Sequence, residues 1–396
     1  MHVLIAGGGI GGLAAAAALL QRGVDVDVYE QASELKEVGA GIQISPNGNK
    51  VLDALGVFQR LKELSCDPVR KEFRLWNTGR PWPMLSLGKT VVEKYGYPYL
   101  TVYRPDMHGA LADRVRALKP SAIHLDSGVA GLTQDAQGVE LELRNGQRIR
   151  GDALIGADGV RSVVRNTLWG PTDPQFSGMV AWRGLIPMEA LPERMRAPVG
   201  STWIGPGGHV VSYPLHRSKI MNLVATIEGK TWTQPTGSAP GTTEECLQDF
   251  DGWHEDVRTM IRLAPSLLKW ALARRDPIPQ WTQGRATLLG DAAHATLPFL
   301  AQGAVHSIED GMVLARCLEA VSAAEVPAAL QRYETARITR TSKMVRGATA
   351  NTERFHSPEL ANEESAERYL QREWSESPIF ERYDWLYAYD ANTAPI

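Results

Sequence analysis

The chain has 396 residues, of which 43% are hydrophobic and 22% charged, and its formal net charge is -3. This length suits two interwoven domains better than a single simple core. The balanced charge excludes a general attraction to nucleic acid or to anionic lipid. The cysteines, Cys66, Cys246 and Cys317, are far apart and show no metal-ligand spacing. We therefore predict no metal site, no disulfide framework and a cytoplasmic location.

The first thirty residues predict a βαβ unit. Residues 2–6 form a short apolar run, residues 13–22 an Ala/Leu helix, and residues 24–29 a second strand with alternating Val and Asp. The apolar start is not typical of a signal peptide, because no Lys or Arg precedes it. No other apolar run approaches the roughly 20 residues that span a bilayer. We therefore expect no contact with a membrane.

A glycine-rich turn joins the first strand to the helix. Gly7 permits the tight turn, Gly9 lets a pyrophosphate approach the backbone, and Gly12 lets the helix pack closely on the sheet. The N-terminus of the helix offers N–H groups to phosphates. Glu30 ends the second strand, where a carboxylate accepts hydrogen bonds from an adenosine ribose. This context predicts a dinucleotide site but does not separate NAD from FAD.

The rest of the chain predicts a second, mostly antiparallel sheet and a return to the first domain. Short alternating strands occupy residues 121–155 and 176–227, and we expect β-hairpins over 72–100. The remaining predicted elements are helices over 45–65, 105–118, 243–273, 303–320 and 327–350, and a strand over 286–289.

The C-terminal segment is rich in aromatic residues, with seven between Tyr369 and Tyr389. Disordered tails are poor in aromatic residues. This composition favours a helical tail that packs on its own chain. The alternative is a homodimer contact, because Tyr and Trp also suit interfaces.

Two later motifs resemble those of a known family. Residues 154–165 contain Asp158-Gly159, and residues 285–298 contain Gly290-Asp291. Together with the N-terminal glycines, they resemble the flavoprotein aromatic hydroxylases, the group of p-hydroxybenzoate, salicylate and 3-hydroxybenzoate hydroxylases. The resemblance extends over nearly the whole chain, and the three motifs occur in the family's order.

The resemblance implies a bound FAD and assigns residues to it. Gly7, Gly9, Gly12 and Glu30 match the site for the AMP half. Segment 39–43 matches the backbone beside the isoalloxazine ring. The helix after residue 301 would direct its N-terminus at the flavin's N1/O2 edge, where it stabilises negative charge. The other matches are Arg104 on the FAD backbone, Asp158 and Gly159 for FAD and nicotinamide, Asp291 on the ribityl chain, and Gln302 and Gly303 at the helix start.

The implied fold class is α/β, with a Rossmann-like FAD-binding domain interwoven with an antiparallel substrate domain and followed by a helical tail. We expect the FAD-binding domain at 1–71, 100–175 and 275–345. The substrate domain is expected at 72–99 and 176–274, and the tail at 346–396.

The implied activity is hydroxylation of a small phenolic acid, such as salicylate or 3-hydroxybenzoate, with O2 and with NADH or NADPH. In the family, a flavin hydroperoxide delivers an electrophilic oxygen, which requires an electron-rich ring. A base or relay beside the phenol is therefore needed. His209 and Tyr213 lie four residues apart in a predicted strand, so both point to one face. With Gln43 they are the predicted catalytic residues. The alternative is that His209 and Tyr213 simply line the sheet.

Five residues qualify this interpretation. The related hydroxynicotinate enzymes carry histidines where this chain has Gln43 and Phe299, which disfavours a hydroxypyridine acid without excluding it. His306 is expected either on a solvated helix face or in the pocket, and His294 in a structural hydrogen bond. Arg183 could bind a substrate carboxylate, or contact FAD or a neighbouring acid.

Two further alternatives remain. One is a non-oxygenating FAD reductase of the same fold. The other is a protein without redox chemistry that resembles the Rab GDP-dissociation inhibitors. Retention of Asp158-Gly159 and Gly290-Asp291 argues against the second alternative.

Overall fold

The computed structural model describes residues 1–35, 41–234 and 236–396, with only the backbone described at Glu376 and Ser377. The helices are α1 (Ile10–Leu20), α2 (Pro46–Ala54), α3 (Phe58–Leu64), α4 (Lys89–Tyr95), α5 (Arg104–Leu118), α6 (Val163–Trp169), α7 (Thr243–Asp249), α8 (Glu255–Leu263), α9 (Asp291–His294), α10 (Gly303–Leu318), α11 (Val326–Phe355), α12 (Glu363–Glu373) and α13 (Glu376–Tyr387).

The strands are β1 (His2–Ala6), β2 (Asp25–Tyr29), β3 (Gly41–Ile44), β4 (Arg70–Leu75), β5 (Pro81–Ser86), β6 (Leu100–Tyr103), β7 (Ile123–His124), β8 (Val129–Gln134), β9 (Val139–Leu143), β10 (Arg148–Gly151), β11 (Ala153–Gly156), β12 (Gln175–Pro187), β13 (Val199–Gly205), β14 (Gly208–Leu215), β15 (Ile220–Ile227), β16 (Ser238–Gly241), β17 (Leu267–Arg274), β18 (Thr282–Gln283) and β19 (Ala286–Leu288).

A six-stranded sheet in the order β18-β19-β11-β1-β2-β7 forms the nucleotide-binding half. β1 pairs in parallel with both β2 and β11, and its apolar residues are fully buried because helices cover the sheet. α1 packs between this sheet and α10, and its small Ala side chains are buried almost all round. A Cβ on Gly311 of α10 would lie 2.7 Å from the Ala15 nitrogen, so the glycine permits this close helix contact.

An eight-stranded sheet in the order β16-β17-β12-β15-β14-β13-β4-β5 forms the second half. Its pairings are antiparallel except that of β13 with β4. The predicted fold class, an α/β nucleotide-binding half joined to a mostly antiparallel sheet, is therefore confirmed. A smaller sheet, β10-β9-β8, and a β3-β6 pair complete the strands of the described chain.

Three predicted elements were wrong in detail. The helix predicted over 45–65 is two helices, α2 and α3, because Gly56 adopts a φ of 77° between them. The region 72–100 contains α4 as well as a hairpin. The helices predicted over 243–273 are α7 and α8, and they end before β17. The Leu- and Ala-rich sequence of β17 favours helix, but the strand pairs with β12 and β16. There, tertiary pairing overrides local propensity.

The C-terminal tail packs on its own chain, as predicted. α11 is longer than expected and runs to Phe355, and α12 and α13 follow it across the eight-stranded sheet. Trp374 stacks on Phe355 with ring centroids 5.7 Å apart and also contacts Phe73 of β4. Tyr383 and Tyr387 are buried in the same core. The tail thereby completes the wall behind the second sheet.

A buried charge network supports the start of α10. Arg337 pairs with Glu309 at 2.8 Å and with Asp310 at 2.7 Å, and His294 contacts Asp310 at 2.6 Å. Burial raises the pKa of Asp310, but His294 and Arg337 outweigh that effect and lower it to about 2. The structural role predicted for His294 is confirmed. His306 is fully buried beside Arg337, so the expectation of a solvated helix face was wrong, and its side chain is not among those that line the cavity.

Among the described residues, no helix combines the length and the apolar character needed to cross a membrane.

Candidate active site

A cavity of about 380 Å³ runs between the two sheets. One end lies against the loop before α1 and the carboxyl ends of β11 and β19. The other end lies against β4, β14 and β15, with Phe355 and Tyr383 closing it from the tail. A site at the carboxyl ends of parallel strands follows the general rule for open α/β sheets.

The glycine loop after β1 forms one end of the cavity. Gly7 has a φ of 104°, and a Cβ there would lie 2.5 Å from the Ala157 carbonyl oxygen. A Cβ on Gly12 would lie 2.1 Å from the Gly7 oxygen, so the turn requires glycine at both positions. Gly9 lines the cavity, and within the described residues no atom lies within 4 Å of the place its Cβ would occupy. This open space allows a phosphate to reach the backbone.

The start of α1 faces this open space. Gly9 is its N-cap, and within the described part of the chain no side chain caps the helix and no acidic residue occupies its first turn. The free N–H groups and the helix dipole favour an anion there. Glu30 lies beside the loop, where its carboxylate accepts the Gly8 N–H at 2.7 Å and the Ala32 N–H at 2.9 Å. A carboxylate has further lone pairs for a ribose.

Asp158 and Gly159 have different roles in the loop after β11. The Asp158 carboxylate accepts from the Ser162 hydroxyl and from the Val163 N–H at 2.7 Å, so it orders the turn that begins α6. It does not line the cavity, whereas Gly159 does. Asp158 therefore shapes the loop, and Gly159, with a φ of 78°, presents backbone to the cavity.

The middle of the cavity presents a carboxylate and an arginine. Asp291 follows β19 at the first position of α9, and its side chain is open to the cavity. Gly290 before it has a φ of 63°, and a Cβ there would meet the Ser307 hydroxyl at 2.7 Å. Arg104, at the start of α5, also lines the cavity. Such a carboxylate can accept hydrogen bonds from a polyol chain.

The N-terminus of α10 points into the same space. Gln302 is its N-cap and Gly303 its first residue, and both line the cavity. The Gln302 side chain is held by Ser45 at 2.8 Å and Asn47 at 3.2 Å, so its backbone faces the cavity. Of the predicted segment 39–43, Gly39 and Ala40 lie outside the described residues, while Gly41 to Gln43 line the cavity.

These groups fit FAD. The glycine loop and the N-terminus of α1 match a pyrophosphate, because no side chain blocks the loop and no acidic residue occupies the first turn of the helix. The N-terminus of α10, which also has no acidic residue in its first turn, matches the edge of the flavin that becomes negative on reduction. The carboxylate in the middle of the cavity matches the ribityl chain. Of the predicted cofactor residues, Gly9, Arg104, Gly159, Asp291, Gln302 and Gly303 line one cavity. Gly7, Gly12, Glu30 and Asp158 support its walls.

His209 and Tyr213 lie on β14 and line the same cavity, as their spacing predicts. The Nδ1 atom of His209 lies 2.6 Å from Nε2 of His356, and Nδ1 of His356 lies 2.5 Å from Oε1 of Glu228. His209 is buried, and the Glu228 side chain is 42% exposed. The three residues connect the cavity to the surface. The sequence analysis did not find His356 or Glu228.

The two histidines are neutral in this arrangement. Burial, with a smaller contribution from His356, places the pKa of His209 well below its usual value. Burial also lowers the pKa of His356, although Glu228 opposes this. A carboxylate accepts hydrogen bonds, so Nδ1 of His356 carries the proton and its Nε2 accepts from Nδ1 of His209. Nε2 of His209 is then left without a proton and acts as an acceptor.

Tyr213 is a donor on the same face of β14, four residues along the strand from His209. Burial raises the pKa of Tyr213, which therefore stays protonated; the charge of Arg183 and, to a smaller extent, a hydrogen bond from Gln43 partly offset this shift. Oε1 of Gln43 accepts from the Tyr99 hydroxyl at 2.8 Å. The Tyr99 oxygen in turn lies 3.1 Å from Nζ of Lys71, another cavity residue that the sequence analysis did not find. Gln43 thus orients Tyr213.

Arg183 lines the cavity from β12. Its guanidinium lies over the Trp270 ring at 4.6 Å. Burial lowers the pKa of Arg183, and among the described residues no carboxylate acts on it. Arg183 therefore has no neighbouring acid in the described part of the chain, and a substrate carboxylate and FAD stay as its two predicted contacts.

Comparisons with known proteins agree with this site. A family model described as "FAD binding domain" matches residues 1–348. The 3-amino-4-hydroxybenzoate 2-monooxygenase PtnB3 of Streptomyces platensis is 37% identical over 100% of this chain and 97% of its own length. The 3-hydroxybenzoate 6-hydroxylase 1 of Aquipseudomonas alcaligenes is 36% identical over 87% of this chain and 86% of its own.

A solved salicylate hydroxylase substrate complex superposes with a TM-score of 0.83 at 27% identity, and the match covers 100% of this chain and 98% of that one. The chain belongs to the FAD-binding family of aromatic monooxygenases, as the sequence motifs predicted, and its cofactor is FAD.

Proposed function

We propose that this chain hydroxylates an aromatic acid with a free ring hydroxyl, of the hydroxybenzoate or aminohydroxybenzoate class, and that NADH or NADPH is the reductant. The observation that carries the proposal is the pair formed by His209 Nε2, an acceptor, and the Tyr213 hydroxyl, a donor, on one face of β14. The names of the two monooxygenase relatives support the same substrate class.

The pair suits a phenol that must lose its proton. A phenol becomes a strong nucleophile at ring carbon when its O–H is ionised, so the site needs one group that takes the proton and one that stabilises the phenolate. His209 Nε2 accepts the proton, and the Tyr213 O–H donates a hydrogen bond to the resulting oxygen. Tyr213 keeps its own proton, because burial raises its pKa.

The overall reaction places one oxygen atom of O2 on the ring and releases the other as water, while the nicotinamide is oxidised. FAD supplies the reduction of O2 and the electrophilic oxygen. The chain's own contribution is to bind the ring, hold the proton of the hydroxyl at His209, and exclude water with Phe299, Phe355 and Leu300 around the cavity. Phe299 packs edge-on against His209 at 4.8 Å, which fixes the imidazole plane.

A paired substrate panel tests the proposal. Each of 3-hydroxybenzoate, 4-hydroxybenzoate, 3-amino-4-hydroxybenzoate and 6-hydroxynicotinate is compared with its O-methyl counterpart, and both NADH or NADPH consumption and product are measured. We expect at least one benzoate with a free hydroxyl to give product, and its O-methyl counterpart to give none. Equal hydroxylation of the two members of a pair would contradict the proposal, as would the absence of product from every acid.

A further inference from the structure

The cavity contains a lysine, Lys71, that has no anionic partner among the described residues. Lys71 lies on β4, and its Nζ donates to the Tyr99 hydroxyl oxygen at 3.1 Å and lies 4.9 Å from the Tyr99 ring centroid. Its neighbours Arg70 and Arg74 both pair with Glu72, at 3.0 and 2.7 Å. Within residues 1–35, 41–234 and 236–396, burial is the sole influence on the pKa of Lys71, and no carboxylate contributes.

The titratable groups around Lys71 do not neutralise it. Tyr99, Tyr213 and Tyr383 line or border this end of the cavity, and burial raises the pKa of each phenol, so each stays uncharged. His209 is neutral as well, because burial lowers its pKa. A cation held in such surroundings is costly unless a ligand brings a negative charge. An aromatic carboxylate brings that charge.

The sheet register places Lys71 in line with Tyr213, the residue proposed to donate a hydrogen bond to the ring hydroxyl oxygen. Lys71 pairs with Gly200 of β13, and the register that joins Ser201 to Ser212 sets Gly200 beside Tyr213. Two strand spacings, roughly 10 Å, separate the backbones of Lys71 and Tyr213. Gly200 between them has no side chain, so the wall stays open between the ammonium and the phenol.

A polar strip runs along this open wall. Lys71 donates to Tyr99, Tyr99 donates to Gln43 at 2.8 Å, and Gln43 bonds Tyr213. One end of the strip is cationic, and the other carries the donor for a ring hydroxyl. A ring that bears a carboxylate and a hydroxyl matches both ends at once.

We propose that Lys71 binds the carboxylate of the aromatic substrate and thereby selects phenolic acids over neutral phenols. The inference rests on the proposed function, because it assigns the acid group of the same substrate. Lys71 is then a specificity determinant, because it contacts the carboxylate of the substrate and not the ring hydroxyl that His209 and Tyr213 bind.

The test compares Lys71→Met with wild type on two pairs of probes: 3-hydroxybenzoate and 3-hydroxybenzamide, and 3-amino-4-hydroxybenzoate and its carboxamide. Dissociation constants are measured by calorimetry on the FAD-loaded protein, alongside kcat and KM. Loss of one partner of a buried charge pair typically weakens binding by about 30-fold or more. We expect a change of that order for the acid and less than about threefold for the amide.

Two further variants complete the design. Arg70→Met removes a neighbouring cation on the same strand that pairs with Glu72 and does not line the cavity, so it should leave the preference for acid unchanged. Lys71→Arg keeps the charge and should retain part of the preference. FAD content and thermal unfolding confirm that each variant folds, and Lys71→Met should unfold at or above the wild-type temperature, because it removes an unpaired cation.

The outcomes separate the two claims. An equal loss for acid and amide, or a wild type that binds both equally, would overturn the role of Lys71 and leave the hydroxylase function standing. Normal binding of the acid that depends on Lys71, without any product, would retain the carboxylate site and overturn the proposed function.

Discussion

Nε2 of His356 lies 2.6 Å from Nδ1 of His209, and this contact orients the imidazole that faces the cavity. Glu228 accepts from the other nitrogen of His356 at 2.5 Å, so the two rings and the carboxylate form one directed chain of hydrogen bonds. Under the proposed function, a proton taken from the substrate at His209 Nε2 would move to Glu228, because each ring accepts on one nitrogen and donates from the other. It would return by the same path when the product regains its aromatic ring.

Glu228→Gln should slow hydroxylation while preserving the arrangement of the histidines. The amide oxygen still accepts from His356, but the amide does not take up the proton. We expect the rate of product formation to fall about tenfold or more. This loss should be smaller than the 10²–10⁴-fold loss typical of removing the base itself. Reduction of FAD by the nicotinamide should be unchanged. Stopped-flow measurement of both half-reactions, with the solvent isotope effect, checks this.

The matched control is Glu142→Gln, which changes an exposed glutamate on β9 that does not line the cavity. It should behave as wild type in both half-reactions. An unchanged rate and isotope effect in Glu228→Gln would show that the proton leaves His209 by another route.

Binding of the acid should depend on pH through Lys71. Burial lowers the pKa of Lys71 to about 8 in the substrate-free protein. The ammonium is protonated below that value and binds a carboxylate, and it loses its charge above it. The dissociation constant for 3-hydroxybenzoate should therefore be flat below about pH 8 and rise above it, up to about tenfold per pH unit.

Two comparisons isolate this effect. 3-Hydroxybenzamide has no carboxylate, so its dissociation constant should show no such rise. The arginine in Lys71→Arg stays charged over this pH range, so this variant should remove the rise for the acid. Calorimetric titrations over about three pH units, from about pH 6.5 to about pH 9.5, measure the dissociation constants. The same rise for acid and amide would assign the pH dependence to another group.

Asp291→Ala should release FAD. The Asp291 side chain is open to the middle of the cavity, and its loss removes an acceptor for the ribityl hydroxyls. Each charge-assisted hydrogen bond typically contributes about 1.5–3 kcal/mol, so the dissociation constant should rise by at least tenfold. Flavin absorbance per chain after dialysis measures the loss, with Asp113→Ala on the exposed face of α5 as control. Full retention of FAD by Asp291→Ala would reject this contact.

The cofactor half of the site was predictable from sequence because local backbone geometry determines it. Gly7 has a φ of 104°, and a Cβ on Gly12 would lie 2.1 Å from the Gly7 oxygen, so both requirements arise within one turn and appear as a short motif. His209 and Tyr213 were predictable for a similar reason, since the period of a strand places them on one face.

The substrate half was less accessible, because its parts meet only through tertiary packing. His356 reaches His209 after α11 has run the length of the domain, and 147 positions separate the two residues in the chain. Lys71 appears in the sequence as one charge among several on β4, and only the sheet register turns it toward the cavity. β17 shows the same limit, because its pairing with β12 decides against a helix-forming sequence.

The pair of His209 and Tyr213 is tested most directly by the amount of hydroxylated product formed per NADH or NADPH consumed, in Tyr213→Phe, His209→Ala and the double variant. Tyr213→Phe removes only an oxygen atom, so packing should survive. We expect both single variants to oxidise the nicotinamide in the presence of the acid but to lose product, with the electrons released as hydrogen peroxide. The proposed function has both residues act on one oxygen, so the double variant should lose less than the sum of the singles. Wild-type rate and wild-type product yield in both single variants would contradict the account.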